Sequence, residues 1–125
     1  MKIRWLLGLI LIFFLAACGG SGEPERLPNN SASILIVSPA SSSVHPEGRE
    51  IEVVVAVDNF ELGGGTNNHW HIYVDGENWG MIFGEETSHM LFGVPLGEHE
   101  VSVYLANNEH VEYEEGDSIL INIEE

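Results

Sequence analysis

Alternation of apolar and other residues with a period of two is the feature of this sequence that most restricts its fold. In segment 51–58 every second residue is a large aliphatic one, and the pattern returns in segments 69–75, 98–106 and 119–123. Successive side chains of a strand point to opposite faces, so this period is typical of a strand with one buried face. From residue 34 onward no stretch repeats apolar residues at the helical period, so we predict a domain made of strands.

Seven short strands are predicted, separated by turns rich in Gly, Pro, Asn and Asp. They cover residues 34–37, 51–58, 69–75, 79–83, 89–92, 98–106 and 119–123, whereas 38–48 is predicted to be a loop. Seven strands in about ninety residues indicate an all-β fold, an antiparallel immunoglobulin-like (Ig-like) β-sandwich. Residues that share an apolar strand face are expected to form its core: Ile51, Val53, Val55, Trp70, Ile72, Val74, Val101, Val103, Leu105, Ile119 and Ile121.

The N-terminus has the pattern of an export signal. Lys2 and Arg4 precede an apolar run that is too short to span a bilayer comfortably and that ends in Leu-Ala-Ala-Cys18. This ending resembles the lipobox of bacterial lipoproteins, in which the cysteine is diacylated and becomes the first residue of the mature chain. The resemblance implies a signal peptide over residues 1–17 and an extracytoplasmic protein anchored to the cell membrane, or to the outer membrane if the host has one. The alternative is an ordinary signal peptide or signal anchor with a chance cysteine.

Composition restricts the remainder of the chain. Residues 18–33 comprise the lipidated cysteine and a stretch rich in Gly, Ser, Pro and Asn, which predicts a flexible tether, and residues 34–125 are predicted to be one domain. Cleavage before Cys18 leaves Arg26 and Arg49 as the only Lys or Arg residues against 20 acidic ones, a formal charge of −18. Such a charge repels nucleic acids, so a nucleic-acid-binding function is excluded.

Several segments resemble Ig-like modules of secreted and lipid-anchored bacterial proteins. Ile36-Val-Ser-Pro39 followed by Val44-His-Pro-Glu-Gly48 is similar to their opening strand and loop, and Pro95-Leu-Gly-Glu-His99 is similar to their entry into a late strand. The segment from Asn59 to His110 resembles an uncharacterised lipoprotein module with a His-x-His strand and a later histidine. The resemblance implies a fold and a location more than an activity, because one fold hosts many functions.

Histidines form the candidate binding site. His69 and His71 are two residues apart on one predicted strand, so both side chains point to the same face. Tracing the strand directions places His110, in the loop 107–117, at the same end of the sandwich. Two strand histidines and a third from a loop make a ligand set used for zinc and copper. His89 falls toward the same end and is a fourth, lower-ranked candidate because we expect it in the opposite sheet.

The other histidines are expected elsewhere. By the same tracing, His45 and His99 lie at the opposite end of the sandwich, with His99 at the partly buried rim of the core. The many carboxylates around the candidate site are expected to raise the pKa values of its histidines, because negative charge favours the protonated imidazole.

Two functions of different classes remain open. One is a binding protein that captures or senses copper or zinc through His69, His71 and His110. The other is an Ig-like interaction module for an envelope protein, without a metal, whose histidines lie on a solvated strand face. The acidic segment 109–117 could suit calcium, but its order does not match an EF-hand, so calcium is the less favoured ion.

Enzymatic motifs are absent from the sequence. It contains no nucleophile elbow, no carboxylate pair at a defined spacing and no cofactor fingerprint. We therefore predict a binding protein and not an enzyme. A metal hydrolase with three histidine ligands and an open coordination position is the remaining enzymatic alternative.

Overall fold

The computed structural model describes residues 25–125, which form two packed β-sheets. The eight strands are β1 (Ser33–Ser38), β2 (Ser43–Pro46), β3 (Ile51–Asp58), β4 (His69–Val74), β5 (Glu77–Ile82), β6 (Ser88–Leu91), β7 (Gly97–Ala106) and β8 (Asp117–Glu124). One sheet has the order β1-β3-β6 and the other the order β2-β8-β7-β4-β5. The predicted Ig-like β-sandwich is confirmed. The predicted signal peptide and Cys18 lie outside the described residues.

Strand β2 is the element that the sequence pattern does not reveal. It lies within the predicted loop 38–48 and pairs in parallel with β8, from Ser43 opposite Ile121 to Pro46 opposite Glu124. Its four residues alternate only between half-buried and exposed, so they produce no apolar period. The strand lies at the edge of its sheet, where proline is tolerated because one side of the backbone needs no partner.

The core lies between the sheets and contains all eleven residues predicted for it. Each of them is at most 9% exposed, and the largest, Trp70, is fully buried on β4. The indole Nε1 of Trp70 donates a hydrogen bond to the carbonyl oxygen of Glu86 at 2.9 Å, which satisfies its polar atom inside the core. The strand phase is therefore as predicted, with Trp70, Ile72 and Val74 facing inward.

The segment 25–32, the described part of the predicted tether, packs against the domain. Leu27 donates its backbone N–H to the carbonyl of Glu112 at 3.0 Å and accepts from that of Glu114 at 2.9 Å. The side chain of Asn29 donates to the carbonyls of Ala32 and Glu115 and accepts from the backbone of Glu115. We call residues 25–32 the N-terminal strap. The strap packs on the domain because its backbone and the Asn29 side chain form hydrogen bonds with the segment 112–115. Amino-acid composition alone does not reveal such contacts.

The loop 107–116 folds back along the end of β7. Ala106 forms an antiparallel bridge with Glu112, and Tyr113 donates its backbone N–H to the carbonyl of Leu105 at 2.9 Å. At Gly116 the backbone passes so close to β7 that an added Cβ would lie 2.1 Å from the carbonyl oxygen of Val103. Glycine is therefore required for the loop to return at this point.

No helix among residues 25–125 has the length and apolar composition that crossing a membrane requires.

Candidate metal centre

Three histidines converge at one end of the five-stranded sheet. His69 and His71 lie on the outer face of β4, which is the face turned away from the other sheet, and His110 lies in the loop after β7. One ligand atom from each falls within 4.8 Å of the other two. All three atoms therefore lie within about 2.8 Å of a common point, close to the 2.0–2.1 Å of a metal–imidazole bond. We call these residues the histidine cluster.

Strand pairing and a tight turn bring His110 to this position. His69 is directly opposite Ala106, the last residue of β7, so the loop begins beside the cluster. The Asn107 side chain accepts hydrogen bonds from the backbone of Glu109 and Val111, which closes the turn. His110 has the left-handed φ of 62° at which the chain reverses.

The two strand histidines face each other through their Nε2 atoms, which are 2.9 Å apart. Nδ1 of His69 lies 3.0 Å from the carbonyl oxygen of Asn67, and Nδ1 of His71 lies 2.7 Å from a carboxylate oxygen of Glu112. Both oxygens only accept hydrogen bonds, so each Nδ1 carries a hydrogen, and a neutral ring in this position has its lone pair on Nε2. When both rings are neutral, the two Nε2 lone pairs at this distance repel unless a proton or a metal cation lies between them.

Glu112 orients His71 and is itself held by two other side chains. Its carboxylate, only 9% exposed, pairs with the guanidinium of Arg26 at 3.2 Å and accepts a short hydrogen bond from the hydroxyl of Tyr73. Outer partners of this kind fix the tautomer and ring orientation of metal-binding histidines. Burial, followed by the hydrogen bond to Glu112, raises the pKa of Tyr73, so the hydroxyl keeps its proton.

The two strand histidines of the cluster are buried, whereas the interaction-module alternative placed them on a solvated strand face. His69 and His71 are 0% and 4% exposed, because loop 107–116 and Phe83 cover this part of the outer face. The ring of Phe83 stacks on His69 with 4.2 Å between centroids and 24° between planes. His110 remains exposed and also lines an open groove of about 450 Å³ with strap residues and Glu109, so the cluster adjoins solvent on this side.

The electrostatics of the cluster differ from the expectation of raised histidine pKa values. Burial lowers the pKa of His69, and the neighbouring His71 and His110 lower it further, against an opposing hydrogen bond to Asn67. Desolvation therefore decides the direction of the shift at His69, and the neutral imidazole that binds metal persists to lower pH than in an exposed histidine.

The titration of His69 and His99 is expected to occur on opposite sides of pH 6.5. The hydrogen bond to the carboxylate of Asp75, at 2.6 Å, raises the pKa of His99, whereas burial lowers that of His69. Two-dimensional NMR of the imidazole resonances in metal-free protein, recorded across pH 4–9, measures both. A His69 midpoint at or above that of His99 would contradict the described burial.

The remaining histidines lie away from the cluster. His89 is on β6 of the other sheet, where its Nε2 points toward β5; a Cβ added to Gly80 would lie 2.8 Å from it. It is therefore outside the ligand group, and the fourth-ligand prediction is wrong. His99 is hydrogen-bonded to the carboxylate of Asp75 and to the carbonyl of Pro95, and His45 is hydrogen-bonded to the hydroxyl of Ser43. Neither belongs to the cluster.

The acidic segment does not form a calcium site among the described residues. Glu112 turns toward His71, and Asp117 accepts the backbone N–H of Ile36 at 2.8 Å. Among residues 25–125 the group with metal-binding spacing is the histidine cluster.

Sequence reasoning missed the residues that support the cluster, namely Asn67, Phe83, Glu112 and Arg26. Asn67 precedes His69 by two residues, and Glu112 follows His110 by two, so proximity along the chain was a usable signal for both. Phe83 and Arg26 gave no such signal, because pairing and folding of distant segments bring them to the site.

The sequence matches no protein-family model and no curated protein. Among solved structures, fibronectin(III)-like modules of Clostridium thermocellum CbhA are similar with a TM-score of 0.60 and 18% identity over 74% of this chain and 46% of that chain. A putative membrane anchored protein from Corynebacterium diphtheriae gives a TM-score of 0.57 and 13% identity over 73% of this chain and 20% of that one.

The endo-beta-1,4-mannanase from Thermotoga petrophila gives a TM-score of 0.52 and 16% identity, over 74% of this chain and 20% of that one. This chain therefore corresponds to less than half of each of these three proteins. At such low identity the similarity shows a common Ig-like β-sandwich fold and nothing about function.

Proposed function

We propose that this protein is an extracytoplasmic, membrane-anchored binding protein that captures or senses copper or zinc. His69, His71 and His110 supply three imidazole ligands, and the open side at His110 lets the ion enter. Copper and zinc fit because imidazole is a common ligand of both, whereas calcium prefers oxygen ligands.

The observation that carries the proposal is the 2.9 Å contact between the Nε2 atoms of His69 and His71. Both opposite nitrogens are engaged with oxygen acceptors, so the two lone pairs converge on one position. A metal ion bonded to both nitrogens at about 2.05 Å would subtend an N–metal–N angle of about 90°, which a small outward movement opens toward the tetrahedral value. The exposed His110 has room to close the remaining distance.

The anchoring part of the proposal rests on the lipobox-like sequence ending at Cys18. A lipid on this residue would hold the domain at the extracytoplasmic surface of a membrane. We further propose that the domain binds the ion without catalysis, because the sequence has no catalytic motif beside the cluster.

Metal titration of the purified protein tests the binding function. Zinc and copper are expected to raise the melting temperature, because a ligand bound only by the folded state stabilises it, by about 2.7 kcal/mol at a concentration 100 times Kd. The effect should weaken as the pH falls below about 6.5, because a protonated imidazole cannot bind metal and burial lowers the pKa of His69. Differential scanning calorimetry with and without chelator measures the shift.

Histidine variants separate the cluster from other metal contacts. Replacing His69, His71 and His110 with Gln should abolish the rise in melting temperature, whereas replacing His45 and His99 with Gln should leave it intact. An unaltered protein whose melting temperature does not respond to either metal would rule out the metal function and favour the interaction module.

A further inference from the structure

Strand pairing places a methionine beside the histidine cluster. Met81 on β5 is directly opposite His71 on β4, and its neighbours in register, Ile82 and Gly80, oppose Trp70 and Ile72. Because Trp70 and Ile72 face the core, Met81 and His71 both face outward. Directly opposite residues of antiparallel strands have Cβ atoms about 4.5–5.5 Å apart, so the flexible thioether can reach an ion bound at His71.

The other polar neighbours of His71 on this face already have partners, so Met81 is the side chain that could add a fourth ligand to the three histidines. The residue opposite His71 on β7 is Tyr104, whose ring lies under the guanidinium of Arg26 with 4.4 Å between them. The carboxylate of Glu112 is occupied by Arg26, Tyr73 and the far nitrogen of His71. Met81 is 48% exposed, so its side chain is not held in place by core packing.

The chemistry of this ligand set favours a soft monovalent ion. A thioether is a neutral, soft donor that selects Cu(I), whereas the protein ligands of zinc are thiolates, imidazoles and carboxylates. Three imidazoles and a thioether bring no negative charge, and Arg26 offsets the charge of Glu112. Burying a single positive charge under these conditions costs less than burying two.

We propose that Met81 is the fourth ligand of the centre and that the centre selects Cu(I) over Zn(II). This proposal rests on the proposed metal-binding function and names the ion. Cu(I) binds as such, so no electron transfer is involved.

Affinity measurements on the full chain with Met81→Leu test the selection. Leucine preserves the volume and apolar character of the side chain and removes the sulfur. Under anaerobic conditions, competition with a chromophoric Cu(I) chelator is expected to show affinity lowered by about tenfold or more. Competition with a zinc indicator should show Zn(II) affinity changed by less than about twofold. X-ray absorption of the Cu(I)-loaded protein should show a Cu–S contribution that the variant lacks.

Met90→Leu is the matched control. Met90 is also partly exposed, at 38%, but lies on β6 of the other sheet, so its replacement should leave both affinities and the Cu–S contribution unchanged. If Met81→Leu leaves the Cu(I) affinity unchanged while the histidine variants still lose Zn(II) binding, only the role of Met81 is overturned. Loss of Cu(I) and Zn(II) affinity together would assign Met81 a structural role instead. Absence of binding of either ion by the unaltered protein would overturn the metal function itself.

Discussion

Replacing Trp70 with alanine is expected to lower the free energy of unfolding by about 3–5 kcal/mol, the usual cost of removing a large buried aromatic side chain. Trp70 is fully buried at the centre of the core, and its indole N–H is bonded to the carbonyl of Glu86. The substitution leaves a cavity between the sheets and removes the hydrogen bond to the carbonyl of Glu86. Domains of this size are stable by only about 5–15 kcal/mol, so much of the stability would be lost. Urea unfolding followed by circular dichroism measures the change.

Trp79→Ala is the control for this substitution. Trp79 lies on the edge strand β5 and is only partly buried, so its replacement should cost clearly less. Equal costs for the two variants would show that Trp70 does not occupy the centre of the core.

Replacing Glu112 with glutamine is expected to lower metal affinity by about 10–100-fold, the usual effect of altering an outer partner of a histidine ligand. The change removes the negative charge that accepts the Nδ1 hydrogen of His71 and fixes its ring orientation, while it keeps nearly the same shape. It also leaves Arg26 without its counter-charge beside the incoming cation. Isothermal titration with zinc at pH 7 measures the affinity.

Glu109→Gln provides the same change of charge on the same loop. Glu109 is exposed, and among the described contacts its carboxylate makes none to the histidine cluster. Its replacement should lower the affinity by no more than about twofold, as expected for a screened surface charge. Similar losses in the two variants would mean that Glu112 acts only through the general negative charge of the surface.

The local sequence pattern was sufficient to predict most of the strands, and every residue that it predicted to be in the core is buried. The period of two in β3, β7 and β8 identifies the buried face of each strand, because one face of a strand in a sandwich must be apolar. Strand β2 and the N-terminal strap were not predicted, because backbone hydrogen bonds to distant segments hold them and no apolar period marks such bonds.

The candidate site was predicted only in part. Alternation placed His69 and His71 on one face, and the chain direction placed His110 at the same end, so the meeting of these three histidines was predicted from sequence. The burial of the two strand histidines did not follow, because Phe83 and a loop cover a face that alternation alone predicts to be solvated.

The sequence by itself determined the class of fold, the inward face of each major strand and the three histidines that meet. These depend on the two-residue repeat of a strand and on the order and direction of successive strands, both of which can be read along the chain. The tertiary structure decided which histidine nitrogens face each other, that Glu112 orients His71, and that Met81 lies opposite it. These features depend on the register between strands and on the path of loop 107–116, and both are determined by contacts between residues that are distant along the chain.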